Sequence, residues 1–277
     1  MLLSVCIPTY NRGPLLSVLV RSVLEQLPDT LARVTEIVIS DNHSTDTTAG
    51  ILFAEFGDEP RVRICRPERH LPTAEENLCF ALSHCEGEFV WTLGDDDGVE
   101  PETLARLGDL LVANQHDFLL FNSRSVSYHG VLKLQVQVPC LGPRLDMPLL
   151  DFVRISGFWF TMAGFSMSVF GRSCADLDAF HQILSIGRIY SHVVWLIECY
   201  HDRRFAFVNA PLVNYRENLY VTVSTDHWEK VSARENTFLG GLWSTGFLRL
   251  IDRLAERGIV TRSFIREVVD RSPTQRY

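Results

Sequence analysis

The chain lacks the features that typify secreted, membrane-spanning and nucleic-acid-binding proteins. Its seven cysteines stand singly with no C-x-x-C pair, which predicts reduced thiols rather than disulfides or a zinc site. No apolar run reaches the roughly 18 residues that a transmembrane helix requires, and we find no signal peptide. The net charge of −8 provides no basic excess for binding nucleic acid phosphates. We therefore expect a soluble, cytoplasmic protein.

The 277 residues have ordinary globular composition, and the first part of the chain alternates strand and helix patterns. Apolar segments typical of strands cover 2–7, 36–40, 62–65, 88–93 and 117–122. Helical patterns separate them, and the fourth helix in this part is expected to begin at Pro101. This alternation predicts an α/β fold with a mostly parallel central sheet flanked by helices.

The pattern changes after Asn122. An antiparallel ribbon is expected over 123–128 and 131–138, an irregular connection over 139–148, and closing strands at 205–209 and 212–215. The chain is helical in pattern from about 227 to 271. Since no repeat or low-complexity linker interrupts it, we expect one folding unit with three parts, 1–122, 123–225 and 226–277.

Three consecutive carboxylates, Asp95 to Asp97, directly follow the apolar strand at 88–93. Ligands bind open α/β sheets just beyond the carboxyl ends of the strands. Three adjacent acids repel one another unless a cation or a cationic partner lies among them. The sequence therefore predicts a divalent-cation site. The alternative is a solvated acidic turn that caps the next helix.

Four stretches, in order and spacing, resemble family 2 glycosyltransferases of the GT-A fold. They are 5–12 (VCIPTYNR), 36–42 (EIVISDN), 44–46 (STD) and 93–97 (LGDDD), with Asn77 in the intervening helix. The resemblance covers the part of the chain before Asn122, and beyond it there is a looser likeness to abequosyltransferase-like O-antigen enzymes. It implies a nucleotide-sugar-binding half at 1–122, an acceptor-side half at 123–225 and a helical segment at 226–277.

The activity implied by the resemblance is metal-dependent, inverting sugar transfer in surface polysaccharide synthesis. The donor would be a nucleotide-diphosphate sugar, and the acceptor a saccharide or lipid-linked saccharide. The residues implied to bind the donor are Pro8, Thr9, Tyr10, Arg12, Asp41, Arg69, Asn77 and Asp95. Simple packing is the alternative for Tyr10, and solvation for Arg69. Asp41 is favoured as a ligand because Asp46 is better placed to cap the following helix.

The resemblance also assigns the cation, Mn²⁺ or Mg²⁺, to Asp96 and Asp97. In the family the aspartates form a D-x-D-D frame before a proline, and counting back from Pro101 places Gly94 at the first aspartate. Asp96 is then the first choice for the direct ligand. The other frame reads Asp95 and Asp97 as the D-x-D pair. A cation here would neutralise charge on the departing nucleoside diphosphate. Asp97, as a ligand of that cation, is therefore also expected to be a catalytic residue.

Inverting members of the family usually carry an acidic base in an E-D motif at a helix start. The comparable stretch, 187–195 (GRIYSHVVW), has no such pair, and His192 occupies the expected position of the base. The alternative is a packed or hydrogen-bonded helical histidine. Asp151, Asp176 and Asp178 are weaker candidates for the base.

Two other functions stay open from the sequence. A sugar-nucleotide nucleotidyltransferase would ordinarily need a Gly-rich phosphate loop after the first strand, which 8–11 (PTYN) lacks. A non-catalytic sugar- or nucleotide-binding module would have kept the pocket and lost its base. The arginine-rich C-terminal helices either pack on the domain or contact the inner face of a membrane, where a lipid-linked acceptor would be reached.

Overall fold

A computed structural model describes residues 1–127, 132–134, 142–158, 164–188, 190–216 and 247–271. The strands are β1 (Leu3–Thr9), β2 (Thr35–Asp41), β3 (Val62–Cys65), β4 (Phe89–Thr92), β5 (Gly98–Val99), β6 (Phe118–Val126), β7 (Leu132–Leu134), β8 (Arg144–Asp146), β9 (Ser168–Gly171) and β10 (Phe205–Arg216). The helices are α1 (Gly13–Gln26), α2 (Asp29–Ala32), α3 (Thr48–Phe56), α4 (Ala74–Leu82), α5 (Thr103–Ala113), α6 (Leu149–Ser156), α7 (Leu177–Ile186), α8 (Ser191–Tyr200), α9 (Phe247–Glu256) and α10 (Arg262–Arg271). Short 3₁₀ turns cover Phe165–Met167 and Arg172–Cys174.

The strands form one sheet in the order β3-β2-β1-β4-β9-β6-β10-β5, with β7 on β6 and β8 on β10. The first four strands in that order are mutually parallel. β9 runs antiparallel to both β4 and β6, and β10 is parallel to β6. The longer strands therefore share one direction, and the expected α/β fold with a mostly parallel sheet is confirmed.

Helices cover both faces of the sheet. Along β1 the side chains alternate, as the pleat requires. Leu3, Val5 and Ile7 join a core formed with α1, α3 and α5, while Cys6 joins a second core formed with α4, α7 and α8. This α/β/α layering leaves the carboxyl ends of the parallel strands at one edge of the sheet.

Several predicted element boundaries are wrong. The strand expected to end at Asn122 continues to Val126 because β10 pairs with it along its whole length. The two predicted closing strands form a single strand, β10. Its pairing with β6 shifts register around Pro211, and the strand continues beyond that residue. α5 begins at Thr103 rather than Pro101, since Glu102 lies between them with a left-handed φ of 65°. The connection expected to be irregular contains β8, which pairs with β10.

The C-terminal helices lie against the second core. Leu250, Ile251 and Leu254 of α9 are buried, and the Arg253 Nε of α9 is 2.7 Å from the Glu198 Oε2 of α8. Packing of this segment on the domain is therefore confirmed for 247–271, while 227–246 lies outside the described residues, as does the predicted ribbon turn at 129–130. Within the described ranges, no helix is long and apolar enough to cross a membrane.

Candidate active site

Three strand ends that the sequence singled out meet at one edge of the sheet. β1 and β2 pair in a register that places Thr9 opposite Asp41. β1 and β4 are also paired, and just beyond β4 the Leu93 N–H donates to the Cys6 carbonyl at 2.9 Å. The Thr9 hydroxyl then donates to Asp95 Oδ2 at 2.7 Å, which links the end of β1 to the acidic triplet.

The triplet occupies a tight turn between β4 and β5. The Asp97 N–H donates to the Gly94 carbonyl at 3.2 Å, closing the turn. A Cβ at position 94 would lie 3.0 Å from Asp97 Oδ2 and 3.3 Å from Asp96 Oδ1. The absence of a side chain at Gly94 therefore lets the two carboxylates fold back over the turn, which gives a packing reason for a glycine at the first position of the frame.

Arg12 compensates the charge of the first two acids. Its Nη1 lies 2.7 Å from Asp95 Oδ1 and 3.2 Å from Asp96 Oδ2. Because Thr9 occupies the other oxygen of Asp95, both oxygens of that carboxylate already have donors. Asp95 is thus held in place by the loop that follows β1, and Arg12 links it to Asp96.

Asp97 is held by residues far away in sequence. The Ser166 hydroxyl donates to Asp97 Oδ2 at 2.5 Å, and the Arg216 N–H donates to Asp97 Oδ1 at 2.8 Å. The Arg216 Nε also donates to the Asp96 carbonyl at 2.7 Å. The end of β10 and the turn before β9 therefore fix this carboxylate from two sides.

The protonation of the triplet follows from its burial. Burial raises the pKa of Asp96 to about 6, an effect that the Arg12 charge opposes. Burial and then the Asp96 carboxylate raise the pKa of Asp97 to about 8. Without a cation, Asp97 therefore holds its proton to a higher pH than an ordinary aspartate, and a bound cation would favour its release.

The donor atoms suit a hard divalent cation. Mg²⁺ and Mn²⁺ prefer oxygen ligands and usually take one or two carboxylates together with phosphate oxygens and water. Asp95 and Asp97 each accept hydrogen bonds at both carboxylate oxygens, whereas at Asp96 the Arg12 Nη1 lies 3.2 Å from Oδ2. In the described ranges, no three His, Cys, Asp or Glu side chains are arranged so that they could hold a metal ion together, so a cation at this turn would need further ligands from the donor or from water.

The other predicted donor-binding residues line the same edge or hold it together. Asp41 is buried and its Oδ1 accepts the Ser44 N–H at 2.9 Å. Asn77 is buried, and its amide bonds to the Thr9 carbonyl and to the carbonyl and hydroxyl of Ser40. The amide of Asn77 thus ties the ends of β1 and β2 together, and contact with a ligand stays a prediction.

The rim of this edge is aromatic and basic. The Tyr10 ring is partly exposed and lies 4.8 Å from the His70 ring. His70 Nδ1 is 2.9 Å from the Asn42 carbonyl, so the 66–72 loop is fixed to the end of β2. Arg69 in this loop is exposed. Asp46 was expected to cap α3, but the N-cap is Thr47, which makes no side-chain cap bond, and Asp46 accepts the Thr48 N–H at 2.9 Å from one residue earlier.

His192 lies near the N-terminus of α8 and is buried. Its ring packs edge-to-face on Phe165 at 4.7 Å, and Phe165 precedes the Ser166 that bonds Asp97. Its Nδ1 is 3.9 Å from Glu75 Oε1 on α4. This position suits both roles considered for His192, a packed helical histidine and a base that takes a proton.

Of the weaker candidates for the base, Asp151 pairs with Arg154 at 2.8 Å and Asp176 caps α7 through the Ala179 N–H. Asp178 is exposed on the first turn of α7. The sequence reasoning missed Ser166, Arg216 and Glu75. In the sequence, Arg216 is recognisable only as a basic residue at the end of an apolar strand. Ser166 and Glu75 lie in no pattern that indicates a functional site.

The sequence comparisons agree with this geometry. The family model described as "Glycosyl transferase family 2" matches residues 4–173, more than half of the chain. The chain belongs to glycosyltransferase family 2. The family assignment expected from the motifs at 5–12, 36–46 and 93–97 is therefore confirmed.

Named relatives of this family 2 chain include two curated bacterial enzymes. It is 27% identical over 182 residues to the GalNAc(5)-diNAcBac-PP-undecaprenol beta-1,3-glucosyltransferase of Campylobacter jejuni, covering 65% of this chain and 55% of that protein. It is 35% identical over 107 residues to Abequosyltransferase RfbV of Salmonella typhimurium, covering 39% of this chain and 32% of that protein. The family 2 chain thus matches about half or less of the length of these relatives.

Among solved structures, the family 2 chain resembles S. aureus TarS 1–349 in complex with UDP-GlcNAc. The TM-score is 0.62 at 19% identity, over 83% of this chain and 64% of that one. TarS 1–349 in complex with UDP matches with a TM-score of 0.59 at 20% identity, over 83% of this chain and 63% of that one. At this identity the likeness shows the fold, and the GT-A architecture expected from the sequence is confirmed.

Proposed function

We propose that this chain is a metal-dependent, inverting glycosyltransferase that uses a nucleotide-diphosphate sugar. The observation that carries the proposal is the meeting of Thr9, Asp41 and the Asp95–Asp97 turn at the carboxyl edge of one sheet. That edge is where open α/β sheets bind ligands, and it presents carboxylates beside arginines. A nucleoside would lie toward Tyr10 and Asp41, and the diphosphate toward the acidic turn.

Asp96 and Asp97 would hold Mn²⁺ or Mg²⁺. When bound, the ion supplies Lewis-acid neutralisation of the departing nucleoside diphosphate. Asp95, fixed by Thr9 and Arg12, orients the turn. Hydrogen bonds from Ser166 and Arg216 fix the orientation of the Asp97 carboxylate within the turn.

His192 would take the proton of the acceptor hydroxyl as that oxygen attacks the anomeric carbon. Attack from the face opposite the leaving group inverts the configuration at that carbon. The acceptor class, a saccharide or lipid-linked saccharide of a surface polysaccharide, is supported by the undecaprenol-linked glucosyltransferase and abequosyltransferase among the relatives.

Release of nucleoside diphosphate with Mn²⁺ and a panel of saccharide and undecaprenyl-diphosphate-linked acceptors tests this proposal. Asp96→Ala should lower the rate at least about 100-fold, since several kcal/mol of charge stabilisation would be lost. Asp109→Asn, at an exposed aspartate on α5, is the matched control and should keep the wild-type rate.

Metal-dependent turnover that survives in Asp96→Ala would exclude the triplet as the metal site. Nucleotide binding without turnover for any donor and acceptor would instead favour the non-catalytic binding module.

A further inference from the structure

We infer that Glu75, on the first turn of α4, is a positioning residue that sets the orientation and tautomer of His192. The inference rests on the proposed function for the role of His192 as the base. Glu75 is otherwise unaccounted for, because it belongs neither to the acidic turn nor to any motif in the sequence.

The two side chains face each other across the packed starts of two helices. Glu75 Oε1 lies 3.9 Å from His192 Nδ1, and the side chains are 12% and 4% exposed. The same oxygen accepts the Tyr190 N–H at 2.8 Å, immediately before α8. Glu75 therefore holds the start of α8, and with it the backbone that carries His192, against α4.

A second contact places this pair beside the acidic turn. The His192 ring also packs edge-to-face on Phe165, whose carbonyl accepts the Thr92 hydroxyl at 2.6 Å. The next residue, Ser166, donates to Asp97. The 3₁₀ turn at Phe165–Met167 thus contacts both His192 and the triplet. A movement of the imidazole could therefore displace Ser166 and, with it, the Asp97 carboxylate at the proposed donor site.

Helix capping does not explain a carboxylate at this position. Thr73 and Glu76 already form the complete capping box of α4, with both reciprocal bonds at 3.2 Å. An uncharged glutamine would accept the Tyr190 N–H equally well. Burial meanwhile raises the pKa of Glu75 to about 7, so the site holds an acid at a free-energy cost.

A carboxylate beside one imidazole nitrogen has a defined chemical effect. Its negative charge favours the tautomer that carries the proton on Nδ1, which leaves Nε2 unprotonated and able to take a proton. The acceptor O–H proton would move to Nε2, and the resulting imidazolium would be stabilised by Glu75 before releasing its proton to water. The 3.9 Å separation would shorten to a hydrogen bond as that charge forms.

Other charged groups near the pair come from two elements among the described residues. On α4 the neighbour is Glu76, whose Oε1 is 3.7 Å from the Arg188 Nε in the segment before α8. Tyr190 also lies beside the ring, at 6.1 Å between ring centroids. The turn over 165–167 contributes no titratable side chain. Glu76 thus lies beside the opposite charge of Arg188, while an oxygen of Glu75 faces the imidazole of His192.

The test compares Glu75→Gln with Glu76→Gln in protein labelled with ¹⁵N-histidine, the His192 signals being assigned with His192→Gln. In the wild type and in Glu76→Gln we expect the Nδ1–H tautomer above the pKa of the ring. In Glu75→Gln the oxygen that accepts the Tyr190 N–H and faces Nδ1 would carry no negative charge, so the preference for the Nδ1–H tautomer should weaken and the pKa of the ring should fall by about one unit or more. An unchanged tautomer and pKa in Glu75→Gln would overturn the inference.

Turnover gives the second readout. Glu75→Gln should lower kcat about 10-fold to 100-fold, leave the donor KM within about twofold, and move the acidic limb of the kcat profile to lower pH. Loss of activity in Glu75→Gln with full activity in His192→Gln would also overturn it, since Glu75 would then be the base. If the wild type showed no sugar transfer, the proposed function would fail, while the tautomer measurement would still decide whether Glu75 positions His192.

Discussion

Arg12 and Asp95 form the shortest of the ion pairs at the acidic turn, and Arg12 also reaches Asp96. The guanidinium therefore compensates part of the negative charge of both acids. A cation that bound Asp96 would share this carboxylate with Arg12 and weaken the ion pair. Arg12 thus links the stability of the turn to its proposed metal binding.

Arg12→Met should therefore lower the free energy of unfolding at pH 8 by about 1–3 kcal/mol, because it leaves partly buried carboxylates without their partner. The loss should shrink at pH 5, where Asp96, with its pKa near 6, and Asp97, with its pKa near 8, are largely protonated. Mn²⁺ should restore stability more in the variant than in the wild type. Denaturant unfolding at both pH values, with and without Mn²⁺, measures this.

The matched control is Arg21→Met, which removes an exposed partner of Glu55 and should cost less than about 0.5 kcal/mol. A loss in Arg12→Met of equal size at pH 5 and pH 8 would contradict the electrostatic explanation.

At the scale of the element, α4 connects the parts of the site. The Thr73-x-x-Glu76 spacing before it is typical of a capping box and indicates a helix start, and both reciprocal bonds of that box are present. Glu75 on its first turn contacts α8, and Asn77 on the same helix bonds the ends of β1 and β2. The sequence predicted where this helix begins, but not that its first turns would hold three other elements in position.

Asn77→Ala should destabilise the protein by about 1–3 kcal/mol, because it removes the buried amide that bonds the Thr9 carbonyl and the carbonyl and hydroxyl of Ser40. Unfolding in urea provides the measurement. The control Gln115→Ala removes an exposed amide and should cost about 0.5 kcal/mol or less. A cost for Asn77→Ala as small as for the control would mean that the strand ends are held by other contacts.

At the scale of the whole molecule, local patterns predicted the first half well. The apolar strands and their polar ends depend on neighbours in sequence, so β1 to β4 and the positions of Thr9, Asp41 and Asp95 could be read directly. β6 and β10 could not, because their lengths follow from pairing with each other across the sheet. Pro211 interrupts the strand pattern of β10 although pairing continues beyond it.

The candidate site divides in the same way. The residues that follow β1, β2 and β4 were predicted, because each lies at the end of a recognisable strand. Ser166, Arg216 and Glu75 come to the site through tertiary packing, from positions that carry no local motif. The charge compensation of the triplet and the surroundings of His192 therefore required the structure.

The central claim is that the edge formed by Thr9, Asp41 and Asp95–Asp97 binds a nucleoside diphosphate through a divalent cation. Calorimetric titration of the chain with UDP, GDP, CDP and dTDP, each with Mn²⁺ and with EDTA, tests it directly. We predict that at least one nucleotide binds in Mn²⁺ and that its affinity falls at least about tenfold in EDTA, a change of about 1.4 kcal/mol. Binding of none of the four nucleotides in Mn²⁺, or equal affinity in EDTA, would contradict this account.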